Sequence, residues 1–182
     1  MKSGVKITTD NAQAILDSLK ALTSKEVLIG IPAEDSERED VPFGNAGIGY
    51  LNEYGSPAQN IPARPHLQPG VKSAESQTVP QLKDAALAAF DGNESSAEQS
   101  LERAGQLAVN GVRAFINAAD FVPLADSTVE ARARRGRKGA KAEMARRAAG
   151  DLPGTDGAKP LVDTGQYVRA ITYVVRDKNA GS

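Results

Sequence analysis

The chain holds a single histidine, His66, in the run Ala63-Arg64-Pro65-His66-Leu67. A histidine can act as a general base or as a metal ligand near neutral pH, but each role needs partners. A zinc site requires further imidazoles, thiolates or carboxylates. This chain has no cysteine, and the acids flanking His66 in sequence, Glu53 and Glu75, stand at no recognised ligand spacing. A catalytic triad requires an activated hydroxyl and an orienting acid. None of the serines or threonines lies in a nucleophile-elbow context. His66 therefore reads as a semi-exposed loop residue. No catalytic, cofactor-binding or metal-binding residue is expected, and no enzyme activity.

Three further clusters carry charge or glycine. Glu34, Asp35, Glu37, Glu39 and Asp40 form an acidic run. It lacks the spacing and closing glutamate of a calcium loop, so it reads as a solvated loop. Gly44, Gly47 and Gly49 do not complete a phosphate-binding pattern. Arg132, Arg134, Arg135, Arg137, Lys138, Lys141, Arg146 and Arg147 are eight cations opposed between residues 132 and 147 only by Glu143, a local charge of +7. Such a segment can contact DNA phosphates or an acidic partner. It has no aromatic residue for stacking bases, so sequence reading is not expected. A solvated arm or a protein contact is weighted above DNA.

The rest of the composition sets bounds. The 182 residues carry 22 basic and 23 acidic side chains, a net charge of −1 that argues for no polyanionic partner as a whole. Aromatic residues make up only 4%, so Val, Leu, Ile and Ala must pack the core, and assembly would add buried surface. No apolar run is long enough to span a membrane, and the first residues lack a secretory pattern. A soluble protein made in a cytoplasm is expected.

Apolar spacing places the elements. A helix is expected over 10–22, capped by Asp10, with Ala12, Ile15, Leu16, Leu19 and Leu22 inward. Val27 to Ile31 reads as a strand closed by Pro32, and 33–47 as a mobile loop. Ala46 to Tyr54 reads as a helix ended by Gly55. Four prolines between residues 56 and 69 predict a stiff, extended arm. A helix follows over 71–90, kinked or restarted at Pro80. The clearest helix runs from Ser95 to Ala119, capped by Asn93 or by Ser95 with Glu98. Ser127 to Arg134 adds a turn or two of helix, 135–159 reads as a mobile loop, and Tyr167 to Arg176 as a strand. The sum is one α+β domain over 1–182: a small, mostly antiparallel sheet, helices packed on one face, and long loops and arms.

Three ordered segments resemble a known family. They are Tyr50 to Ser56 with Ile61 to Leu67, then Phe121 to Thr128, then Pro160 to Tyr167 running into the last strand. This set is similar to the neck, or tail-completion, proteins of long-tailed bacteriophages (minor tail proteins), and to virion morphogenesis proteins of Mu-like phages. Two positions depart from the family pattern: His66, where Phe is commoner, and Tyr167, where Leu is commoner. The resemblance implies a structural virion protein, assembled as a sixfold or twelvefold homo-oligomeric ring at the head–tail junction. Its implied partners are head-completion and connector proteins, the portal assembly, and a tail terminator or tail tube, with genomic DNA passing through the channel and no membrane. A tail-terminator ring or a DNA-binding accessory protein is the alternative. The resemblance also implies a subunit interface at Glu53, Tyr54, Arg64, Pro65, His66 and Leu67. On that reading Arg64 pairs with a neighbour's carboxylate, and Arg64→Ala weakens assembly more than folding.

Overall fold

The computed structural model describes residues 12–38 and 43–178. Along the chain run α1 (Ala12–Ser24), β1 (Lys25–Gly30), α2 (Gly44–Tyr54), α3 (Leu67–Ser73), α4 (Glu75–Phe90), α5 (Glu94–Ala118), α6 (Asp126–Arg134), α7 (Lys138–Ala148), α8 (Gln166–Ala170) and β2 (Thr172–Asp177). The two strands pair antiparallel, from Lys25 opposite Asp177 to Gly30 opposite Thr172. Strands from near the two ends of the sequence thus close over a helical middle, and the α+β expectation holds.

The central element is α5. The Asn93 side chain accepts the Ser96 N–H at 3.0 Å, which satisfies one of the open donors of its first turn. Leu101, Ala104, Ala108, Val109, Val112 and Ile116 repeat at helical spacing and are buried. Against this face pack α3, α4 and both strands. Val112 and Ile116 join Tyr167 and Ile171 in the main core, flanked by Ile29, Ile48, Leu67 and Val71. The approach of α3 is close: a Cβ added to Gly70 would lie 2.6 Å from the Val112 Cα. A second, smaller core of Val129, Ala133, Ala140 and Ala158 holds the α6–α7 hairpin to the segment that follows it.

Several boundaries differ from expectation. Asp10, expected as the first cap, lies outside the described residues. Ile15, Leu19 and Leu22 of α1 turn partly inward, but Ala12 and Leu16 are exposed. The 33–47 loop contains a 3-10 turn, Ala33–Asp35, and α2 already begins at Gly44. The 56–69 arm is extended only in part. Pro57–Gln59 form a 3-10 turn, and α3 starts at Leu67 with Pro69 in its first turn, where a missing N–H costs no helical bond. The helix expected over 71–90 is two helices broken at Ala74, and α4 then continues through Pro80. Glu98 does not complete a capping box; it pairs with Lys25 at 3.3 Å.

The largest corrections concern 135–159 and 167–176. The first is not loop throughout, because α7 occupies Lys138–Ala148. Four alanines among its residues favour helix, and Glu143 bridges to Arg146 and Arg147 one turn on. The second is not strand throughout. Gly165 adopts a left-handed φ of 77°, the Thr164 hydroxyl accepts the Gln166 N–H, and one turn of helix precedes β2. That turn swings Tyr167 into the core.

Candidate functional site

The segments singled out in the sequence meet at one buried polar junction. Its base is Glu53 in the last turn of α2. Gly55, at a φ of 76°, ends that helix, and the chain doubles back through a bridge between Ser56 and Ile61. The returning segment is tied to α2 by the Arg64 N–H, which donates to the Asn52 carbonyl at 2.5 Å. The buried Glu53 carboxylate then meets the start of α3. It accepts the N–H groups of His66 at 2.7 Å, Leu67 at 2.9 Å and Gln68 at 3.3 Å. Those are among the donors that a helix start leaves open, and an anion is favoured there. One helix thus caps another.

His66 is fully buried. Its Nδ1 lies 2.7 Å from the Arg64 carbonyl, an obligate acceptor, so Nδ1 carries the proton. Nε2 is then the acceptor, and the Tyr167 hydroxyl donates to it. Burial pushes the His66 pKa below its ordinary 6.5, although the Arg64 carbonyl and the Glu53 charge oppose the shift. Burial, with the Glu53 charge adding to it, pushes the Tyr167 phenol upward, so the hydroxyl keeps its proton. The arrangement fixes every proton in place. It holds a neutral imidazole between two partners and offers no open face to a substrate.

Arg64 leaves the same segment in the other direction. Its Nε donates to the Val122 carbonyl at 2.9 Å and its Nη2 to the Pro123 carbonyl at 3.1 Å. The Phe121-to-Thr128 segment is thereby fastened to the proline-rich segment. The Pro160-to-Tyr167 segment is fastened twice. Tyr167 reaches His66, and buried Arg132 donates to the carbonyls of Lys159 at 2.8 Å and Val162 at 3.1 Å. Asp163 then collects Arg135 at 2.7 Å and Arg137 at 2.9 Å. Burial alone would raise the Asp163 pKa, but Arg135, Arg132 and Arg137 outweigh it and hold the group below its usual range.

This placement corrects the expected interface. Arg64, at 5% exposure, faces carbonyls of its own chain, and His66 and Glu53 are likewise engaged inside it. Leu67 packs against the main core. Of the six residues, Tyr54 and Pro65 are exposed. A buried guanidinium with two short carbonyl bonds stabilises the subunit itself, so Arg64→Ala is expected to lower its stability by about 2–3 kcal/mol. Thermal denaturation of the isolated protein measures this; an unchanged midpoint would return Arg64 to a purely intermolecular role.

The basic stretch is also largely consumed. Arg132, Arg135 and Arg137 face Asp163. Arg146 pairs with Glu143 and Asp151, and Arg147 with Glu143 and Asp126. Three of these acids lie outside 132–147, so the linear charge of +7 overstated the field. Over 126–163, nine cations face six acids, a net +3. Among the described residues Arg134, Lys138 and Lys141 remain exposed without an ionic partner.

Sequence reasoning missed three partners: Tyr167 as the mate of His66, Glu143 as a buried anchor, and Asp163 as the hub of three arginines. For the first a signal was present. His66 and Tyr167, the two positions that depart from the pattern the sequence resembles, touch each other. An apolar pair would fill the same space without polar atoms. His66→Phe alone orphans the Tyr167 hydroxyl, and Tyr167→Leu alone orphans Nε2, each at about 1–3 kcal/mol. The double variant should cost less than the sum of the two, because neither orphan survives. Strict additivity in a denaturant cycle would dissolve the pairing.

Among the described residues no group of three or more His, Asp or Glu side chains is placed to hold a metal ion. No helix among them is long and apolar enough to cross a membrane. No protein-family model, curated protein or solved structure matches the chain.

Proposed function

We propose that this chain is a structural protein of a tailed-phage virion that assembles as a homo-oligomeric ring at the head–tail junction, joins the connector to the tail and leaves a channel for DNA. One observation carries the reading. The segments that resemble neck proteins, far apart in sequence, converge on a single network in which Glu53, Arg64, His66 and Tyr167 fasten one another. Residues with that role maintain a shape rather than turn over a substrate. The surface supports assembly as well. Val79, Leu82, Leu87 and Phe90 of α4 are each more than 40% exposed, and Tyr50 and Tyr54 of α2 are exposed as well. Apolar side chains grouped in this way suit a subunit contact. Neighbours on this reading are head-completion and connector proteins on one side and a tail terminator or tail tube on the other.

Electron microscopy of lysates from a phage carrying a nonsense codon in this gene tests the proposal. Separate DNA-filled heads and free tails are the expected result. Normal joined particles would overturn it.

A further inference from the structure

The ion pairs leave an uneven residue of charge on the surface. On α7 the sole acid, Glu143, points inward and is fully buried. The outward face therefore carries Lys138 and Lys141 among Ala142, Ala145 and Ala148, all exposed, with no acid on it. Arg134, at the end of α6, the other helix of the hairpin, is also exposed. Elsewhere on the molecule Glu34, Asp35 and Glu37, in and beside the 3-10 turn after β1, are exposed and form no ion pair with a described residue. No ion pair joins the two regions within the chain. Within these two regions three cations and three acids are thus exposed without an ion-pair partner.

We propose that the basic face of the α6–α7 hairpin, at Arg134, Lys138 and Lys141, seats the acidic segment at Glu34, Asp35 and Glu37 of a second copy of this chain. Charges that are complementary but placed at different sites give a heterologous contact, in which each copy offers one surface forward and the other back. Opposed fields steer and register such a contact. The small side chains on α7 let a loop approach closely. The hairpin lacks the aromatic anchors that would mark a hot spot for an unrelated protein. DNA is the competing polyanion, but acids that match these cations lie on the same chain. The contact goes beyond the ring reading and does not require it, since it concerns the free protein. Loss of head–tail joining in the phage is a separate result.

The experiment is sedimentation of the purified full chain between about 50 mM and about 500 mM salt, a range over which exposed charge interactions are progressively screened. Self-association that weakens with salt is expected. Lys138→Glu with Lys141→Glu should weaken it by about tenfold or more, and Glu34→Lys with Glu37→Lys should do the same. Mixing the two double variants should restore it, because in an alternating assembly every contact is again between opposite charges. All four positions are exposed, and circular dichroism checks that each variant is folded. A chain that stays monomeric at low salt, an association indifferent to both reversals, or a mixture that fails to recover would each overturn the proposal. So would loss of binding to a short DNA duplex on reversing Lys138 and Lys141 with self-association unchanged, which would assign the face to DNA.

Discussion

Replacing Glu143 by alanine is expected to cost about 3–5 kcal/mol, because it breaks a buried charge pair from one side. Glu143 is fully buried in α7. It accepts Arg146 at 2.8 Å, Arg147 at 2.9 Å and the Gly154 N–H at 2.7 Å. The first two bonds are within the helix; the third holds the loop after α7 to it. Arg147 is itself largely buried and continues to the Leu124 carbonyl and Asp126. Removing the carboxylate strips Arg147 of its inner partner and leaves the Gly154 N–H open. The hairpin and the following loop should then loosen together, which hydrogen exchange of residues 138–158 would detect. Glu143→Gln keeps the shape and one acceptor, and should cost less.

The same group makes stability depend on pH. The Gly154 N–H, then Arg147, hold the Glu143 pKa below its ordinary 4.5 against the opposing effect of burial. A depressed carboxylate binds fewer protons in the folded state than in the unfolded one, so stability rises with pH in that range. Its contribution is complete above about 4.5 and falls away as pH drops through the folded value. His66 adds a second, earlier slope. Its pKa is also depressed, so the unfolded chain takes up a proton first and stability begins to fall below about 6.5. Denaturant midpoints measured between pH 7 and pH 3 should show both losses, the upper one absent in a variant without His66. A flat profile would refute the assignment of either group.

Glu53→Ala is the second large effect, expected at about 3–4 kcal/mol. The carboxylate satisfies three N–H groups at the start of α3, two of them within 2.9 Å. No side chain of α3 or its cap residue replaces it. Without it α3 would lose its start, His66 its neighbour 3.1 Å away, and the proline-rich segment its attachment to α2. Glu53→Gln, which retains one acceptor oxygen, should recover part of the loss. Chemical denaturation of both variants measures this. A cost for alanine no greater than that of an exposed residue would mean that water or a rearranged helix start replaces the cap.

The single histidine illustrates what remained hidden. Its sequence context offered no ligand spacing and placed it on a semi-exposed loop, whereas it is fully buried. Prolines at 62, 65 and 69 read as an arm because no local rule reveals that Glu53 waits to cap the residues between them. Arg64 likewise read as an interface residue, since its acceptors are backbone carbonyls 58 and 59 residues away. Backbone acceptors carry no residue type for a pattern to detect. The arginine-rich stretch read as a free cationic loop for the same reason: Asp126, Asp151 and Asp163 become its neighbours only in three dimensions.

Periodicity along the chain was by itself sufficient for the α5 face, the β1 run, the glycine stop of α2 and the α+β class, because helix and strand spacing are short-range consequences of backbone geometry. The register of β1 against β2, the seating of His66 against Tyr167 and the burial of Glu143 were decided only in the tertiary structure. Each joins groups whose bonding depends on exclusion of water, and water is excluded only when the helices have packed.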